Sequence, residues 1–170
     1  NPPPTFDFEM YKTKKGEVVQ LGWSQRNHSF FNNLPLDPSV FNKYFMFGSR
    51  NCYKTQSLLE DLKYHNSTLS CKVLPMLPDD VCNKILSKSI VFLNLYDAIA
   101  NNGILDCIER NTPVIVNRSP SSEEYLGKEY PLFYENSDHP TEEIMNLFSD
   151  EKIIEGHNYL CNLDKSKFDI

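Results

Sequence analysis

Residues able to do chemistry gather around one turn. Asn101-Asn102-Gly103 stands just ahead of Ile104, Leu105 and Ile108, which recur at helical spacing. A small-residue turn that opens a helix presents backbone N–H groups and the positive end of a helix dipole, a ready site for an anion such as phosphate. Asp106 follows one turn on, where a carboxylate can accept hydrogen bonds from ribose hydroxyls. Arg26 and Arg118 could add charge opposite a diphosphate. Asp97, earlier in the loop, would lie near whatever the diphosphate carries. Taken singly, the same residues also read as a turn with its cap, a helix-surface carboxylate and two surface arginines.

The other reactive types form no arrangement. His28, His65, His139 and His157 are scattered, and no Ser/His/Asp or Cys/His/Asp spacing stands out. The five cysteines, Cys52, Cys71, Cys82, Cys107 and Cys161, include no Cys-x-x-Cys and no zinc spacing. There is no Asp-x-Asp pair, no Gly-x-Gly-x-x-Gly and no Walker loop, so neither a metal nor a cofactor is expected.

Composition sets the class. A chain of 170 residues, 40% hydrophobic and 24% charged, can bury one full core. A net charge of −6 argues against general nucleic-acid binding, which needs a Lys/Arg surface facing phosphates. No apolar run reaches membrane-spanning length, since residues 89–100 are interrupted by Asn94 and Asp97. An odd number of cysteines, several in apolar stretches, fits a reduced cytoplasmic setting. The opening Asn1-Pro2-Pro3-Pro4 reads as a domain of something longer.

The elements that must position these residues alternate. Residues 1–15 read as an extended lead-in, and residues 16–170 as one domain. Strands are expected at 17–21, 44–47, 72–75, 90–95, 114–116 and 132–134. Helices are expected at 39–44, 55–64, 78–88 (capped by Asp79), 102–110, 121–126 (ended by Gly127), 141–148 and 150–163. Short apolar strands alternating with helices predict an α/β domain, a parallel sheet with helices on both faces. In such a sheet, ligands sit beyond the carboxyl ends of the strands.

The stretch from Ser89 to Asn117, and above all Asp106-Cys107-Ile108-Glu109-Arg110-Asn111-Thr112-Pro113-Val114-Ile115-Val116, resembles the donor-binding half of glycosyltransferases with two Rossmann-like domains, the GT-B architecture, in its family 4-like, "group 1" form. Glu17 to Arg26 is similar to that family's opening strand and glycine loop, Lys72 to Leu86 to the segment before the donor loop, and Ser121 to Gly127 to the segment that follows.

The resemblance implies a C-terminal, Rossmann-like domain that binds a nucleotide-diphosphate sugar and supports metal-independent transfer to an acceptor glycan, lipid or protein. An N-terminal acceptor-binding domain would complete the enzyme. Asp106 would hold the ribose, while Asn101, Asn102 and Gly103 would meet the diphosphate through their N–H groups. Asp97 would face the sugar and Arg26 would steady the leaving diphosphate. Met76 and Leu77 would line the base pocket, and Gly22, Asn117 and Arg118 would complete the donor set. The family's acidic pair is two glutamates spaced one position closer. Here the pair is Asp97 and Asp106, which leaves Asn101 or Asn102 as alternatives for the sugar-facing role. A non-catalytic binding module of the same fold, or another α/β enzyme such as an epimerase or phosphate-ester hydrolase, stands beside this reading.

Overall fold

A computed structural model describes residues 2–47, 54–96 and 102–170. The chain runs α1 (Phe8–Tyr11), β1 (Gly16–Leu21), α2 (His28–Asn32), β2 (Phe41–Met46), α3 (Lys54–Tyr64), β3 (Lys72–Val73) and α4 (Asp79–Ser87). It continues with β4 (Ile90–Leu93), α5 (Asn102–Arg110), β5 (Val114–Asn117), α6 (Pro120–Leu126), β6 (Phe133–Tyr134), α7 (Glu142–Asn146) and α8 (Asp150–Asn162).

The strands form one sheet in the order β3-β2-β1-β4-β5-β6, and every pairing is parallel. This is an α/β Rossmann-like fold. β4 and β5 are buried at every position, which is why they read as unbroken apolar runs. The chain steps outward from β1 to β3, then returns to lay β4 on the other side of β1. The carboxyl ends of β1 and β4 therefore flank the point where strand order reverses. Phe30, Phe92 and Tyr134 stack through the core, with Phe92 and Tyr134 centroids 5.5 Å apart and planes within 8°.

Several local expectations are corrected. Residues 39–44 were expected as a helix, but Phe41–Met46 is a strand paired along its length with β1. The ladder with β1 outweighs the weak local preference, and Lys43 donates to the carbonyls of Phe31, Asn32 and Leu34, satisfying the end of α2. The lead-in carries α1, whose Asp7 accepts from the Glu9 and Met10 N–H groups. Phe6 and Tyr11 of that segment are buried. The expected Asp79 cap is instead the first helical residue, preceded by Pro78 at the cap position. Ser119 caps α6 in a reciprocal bond with Ser122, and Gly127 ends it as expected, at φ 86°.

Candidate functional site

β1 ends at Leu21, and Gly22 turns the chain at φ 87°. A side chain at Gly22 would be strained there, and its Cβ would stand 2.8 Å from Arg26 Nη2. Glycine thus lets the Arg26 guanidinium fold back over the strand end. Arg26 Nε donates to the Leu21 carbonyl (2.8 Å) and Nη1 to the Ser24 carbonyl (2.5 Å). Among the described residues no carboxylate forms an ion pair with it. Burial lowers its pKa, yet a guanidinium keeps its charge. The result is a half-buried cation whose hydrogen-bond partners among the described residues are carbonyl dipoles.

Two loops meet at this point. Arg26 and Leu95 form an antiparallel bridge, with Asn27 N–H on the Asn94 carbonyl (2.8 Å) and Tyr96 N–H on the Gln25 carbonyl (2.9 Å). Beyond this seam α5 starts at Asn102, which is exposed, and Gly103, which is buried. Its positive end lies on the same sheet edge as Arg26. Arg26 is close enough to Cys107 of α5 to pull that thiol's pKa down, although burial dominates and drives it up.

Asp106 faces a cavity. Together with Leu21, Met46, Asp79, Cys82, Asn83, Leu86 and Arg110 it lines a space of about 380 Å³ between α4 and α5, at the carboxyl ends of β1 and β2. Burial raises the Asp106 pKa, Glu109 adds to the rise, and Arg110, with Nη1 at 3.6 Å, opposes it. Arg110 is itself held by Asn83 Oδ1 and Glu109. Leu21 links the features: its carbonyl takes Arg26 Nε, and its side chain walls the cavity that Asp106 faces.

The remaining predicted residues spread along the same edge. Met76 is exposed and Leu77 half-buried, in the segment running from β3 into α4 rather than in the cavity wall itself. Asn117 is buried and fully used. Its Oδ1 accepts from Leu95 N–H (2.8 Å), and its Nδ2 donates to the Leu95 carbonyl (2.9 Å) and to Asn136 Oδ1 (2.8 Å). Arg118 turns to the sheet edge, pairing with Glu135 (3.2 Å) and Glu123 (3.8 Å) above the Phe133 ring. The structure therefore brings Gly22, Arg26 and Asp106 around Leu21, and separates Arg118 from them. Asp97 and Asn101 lie outside the described residues.

Asp79 and Asn83 in the cavity wall escape a sequence reading, because nothing in their spacing separates them from ordinary helix-surface residues. The buried Gln20–His28 contact (Nε2 to Nδ1, 2.6 Å), with Trp23 stacked on the imidazole at 4.3 Å, also has no sequence signal beyond the lone histidine. Among the described residues no group of three or more His, Cys, Asp or Glu is placed to hold a metal. Nor is any helix there long and apolar enough to cross a membrane.

Neither a protein-family model nor a curated protein matches the sequence. Solved structures do match the fold. A glycosyltransferase from Rickettsia africae ESF-5 superposes with a TM-score of 0.58 at 13% identity, covering 86% of this chain and 43% of that one. The N-terminal domain of Candida albicans trehalose-6-phosphate phosphatase gives a TM-score of 0.58 at 12% identity, over 89% of this chain and 38% of that one. WaaG, a glycosyltransferase involved in lipopolysaccharide biosynthesis, gives 0.55 at 13% identity, over 96% of this chain and 52% of that one. The chain thus spans about half or less of each of these three structures. At these identities the likeness establishes a shared fold, found in two glycosyltransferases.

Proposed function

We propose that this chain is the nucleotide-sugar-binding domain of a glycosyltransferase. The observation that carries the reading is the pairing of Arg26, a cation with no carboxylate partner among the described residues, with a cavity-facing carboxylate, Asp106, on either side of Leu21. The Asp106 cavity takes the nucleoside, with the ribose diol donating to the carboxylate. Arg26 and the start of α5 (Asn102, Gly103) take the diphosphate, and Asp97 faces the sugar. During transfer the bond from the anomeric carbon to the diphosphate oxygen breaks, and its electron pair leaves with the diphosphate. The acceptor hydroxyl forms the new bond and loses its proton. Arg26 and the helix dipole stabilise the charge gathering on the diphosphate, which is how this chain lowers the barrier. A second domain, N-terminal to this one, closes the cleft in which donor and acceptor are held together.

One observation favours a non-catalytic binding module instead: Arg118, the second expected cation, is neutralised by Glu123 and Glu135. Calorimetric titration with UDP, GDP, ADP and their sugar conjugates tests the proposal. Millimolar or tighter binding that is lost in Arg26→Met and Asp106→Ala is expected. Absence of binding by every nucleotide refutes it. Binding without donor turnover, in a chain carrying its second domain, selects the module.

A further inference from the structure

A larger cavity lies elsewhere on the same edge, at the carboxyl ends of β4, β5 and β6, and measures about 720 Å³, within the range of small-molecule sites. None of the described residues that line it is Lys, Arg or His. Arg118, which follows the lining residue Asn117, is committed to Glu123 and Glu135. Glu124 and Asp138 contribute carboxylates, so the wall repels phosphate. It is instead rich in neutral donors and acceptors, among them Asn27, Asn94 and Ser121.

Asn94 is 7% exposed, and its Nδ2 donates to Tyr134 Oη (3.1 Å), which in turn donates to the Leu93 carbonyl (2.8 Å). This chain fixes the amide, and Asn94 Oδ1 takes no hydrogen bond from any described residue. Asn27 is fixed in the opposite sense: its Oδ1 accepts from Phe30 N–H at 3.0 Å, leaving Nδ2 as a donor. Tyr96, 61% exposed at the rim, offers an aromatic face. Oriented amides, carboxylates and an exposed ring, with no cation, match hydroxyl groups and the apolar face of a sugar ring.

We infer that this cavity binds a neutral glycan. The inference rests on the glycosyltransferase reading for its biological sense and deepens it: the glycan is the acceptor, or else the sugar of the donor reaching across the seam. Amide chemical-shift mapping on the 15N-labelled chain separates the cases. The probes are pyrophosphate, UDP, GDP and ADP, the matching nucleotide sugars, and the methyl glycosides of glucose, mannose, galactose and N-acetylglucosamine to tens of millimolar.

An acceptor site predicts that a methyl glycoside shifts Asn94, Ser121 and Asp138, with or without nucleotide, while pyrophosphate does not. A donor-sugar site predicts that only a nucleotide sugar shifts them. If no saccharide shifts them while a nucleotide shifts Gly22 and Asp106, the inference is overturned and the proposed function survives. Glycoside shifts with no response to any nucleotide do the reverse. Glu124 and Asp138 are both exposed, so the double variant Glu124→Ala/Asp138→Ala leaves the fold intact. It should weaken the glycan at least about tenfold, the scale of one hydrogen bond to a charged group, and unchanged affinity overturns the inference.

Discussion

Replacing Asp106 by Asn separates binding from stability. The substitution keeps the side-chain volume and removes a charged acceptor that is 43% exposed and faces the cavity. A ribose hydroxyl donating to a carboxylate is worth about 1.5–3 kcal/mol, so nucleotide affinity should fall about 10- to 150-fold. Stability should move the other way. The folded pKa of Asp106 is raised, chiefly by burial. Between the ordinary carboxylate pKa and that raised value the folded state holds more protons than the unfolded one. Stability from this group is therefore lost as pH rises through that window, and the neutral-pH carboxylate is destabilising. The Asn variant should melt no lower than the parent at pH 7, and its advantage should vanish in acid. Arg110 keeps Asn83 and Glu109 in the variant. Calorimetry with a ribonucleoside diphosphate and its 2′,3′-dideoxy analogue closes a double-mutant cycle. The parent should discriminate strongly between the two and the variant hardly at all. Equal discrimination by both proteins would refute the contact between Asp106 and the ribose.

Arg26→Met should weaken pyrophosphate binding roughly 10- to 100-fold, with Arg26→Lys restoring little because a point-like ammonium lacks the planar fork that spans both carbonyls and still presents N–H groups to a phosphate; isothermal titration reads this directly. Gly22→Ala should mimic the Arg26 loss through the displaced guanidinium, and retained affinity would contradict the packing described. Gly156→Ala drives its new methyl into Leu132 across the α8 interface, so the overpacking loss of about 1–3 kcal/mol should exceed the helix-propensity gain and lower Tm. Of Cys71, Cys82, Cys107 and Cys161, the exposed Cys161 should take iodoacetamide first and the buried Cys107 only on unfolding, as mass mapping over time would show.

The central strands were legible because a parallel strand covered on both faces must be apolar throughout, as in Ile90–Leu93 and Val114–Val116. Of β2 only the apolar end at 44–46 was, because Asn42 and Lys43 are half-buried polar residues and Lys43 satisfies the end of α2. The short helices α1 and α2 carry too few residues for a periodic signal and are held by caps and tertiary packing. Arg26 and Asp106 could be singled out because position at a strand end or one turn into a helix follows from local order. The partners of Arg118 could not, since Glu123 and Glu135 reach it from different elements. The large polar cavity was invisible for the same reason: its wall takes residues from four separate loops, and no spacing ties them together.

The seam between the β1 and β4 loops has a mechanical consequence. Because Asn27 is bonded to Asn94 and Tyr96 to Gln25, neither loop can shift by itself without breaking backbone hydrogen bonds. A displacement at Arg26 is thus carried as a rigid unit to Tyr96 at the rim of the neighbouring cavity. A ligand whose binding moves Arg26 would therefore also move Tyr96, and by reciprocity one that moves Tyr96 would act on Arg26 to the same extent.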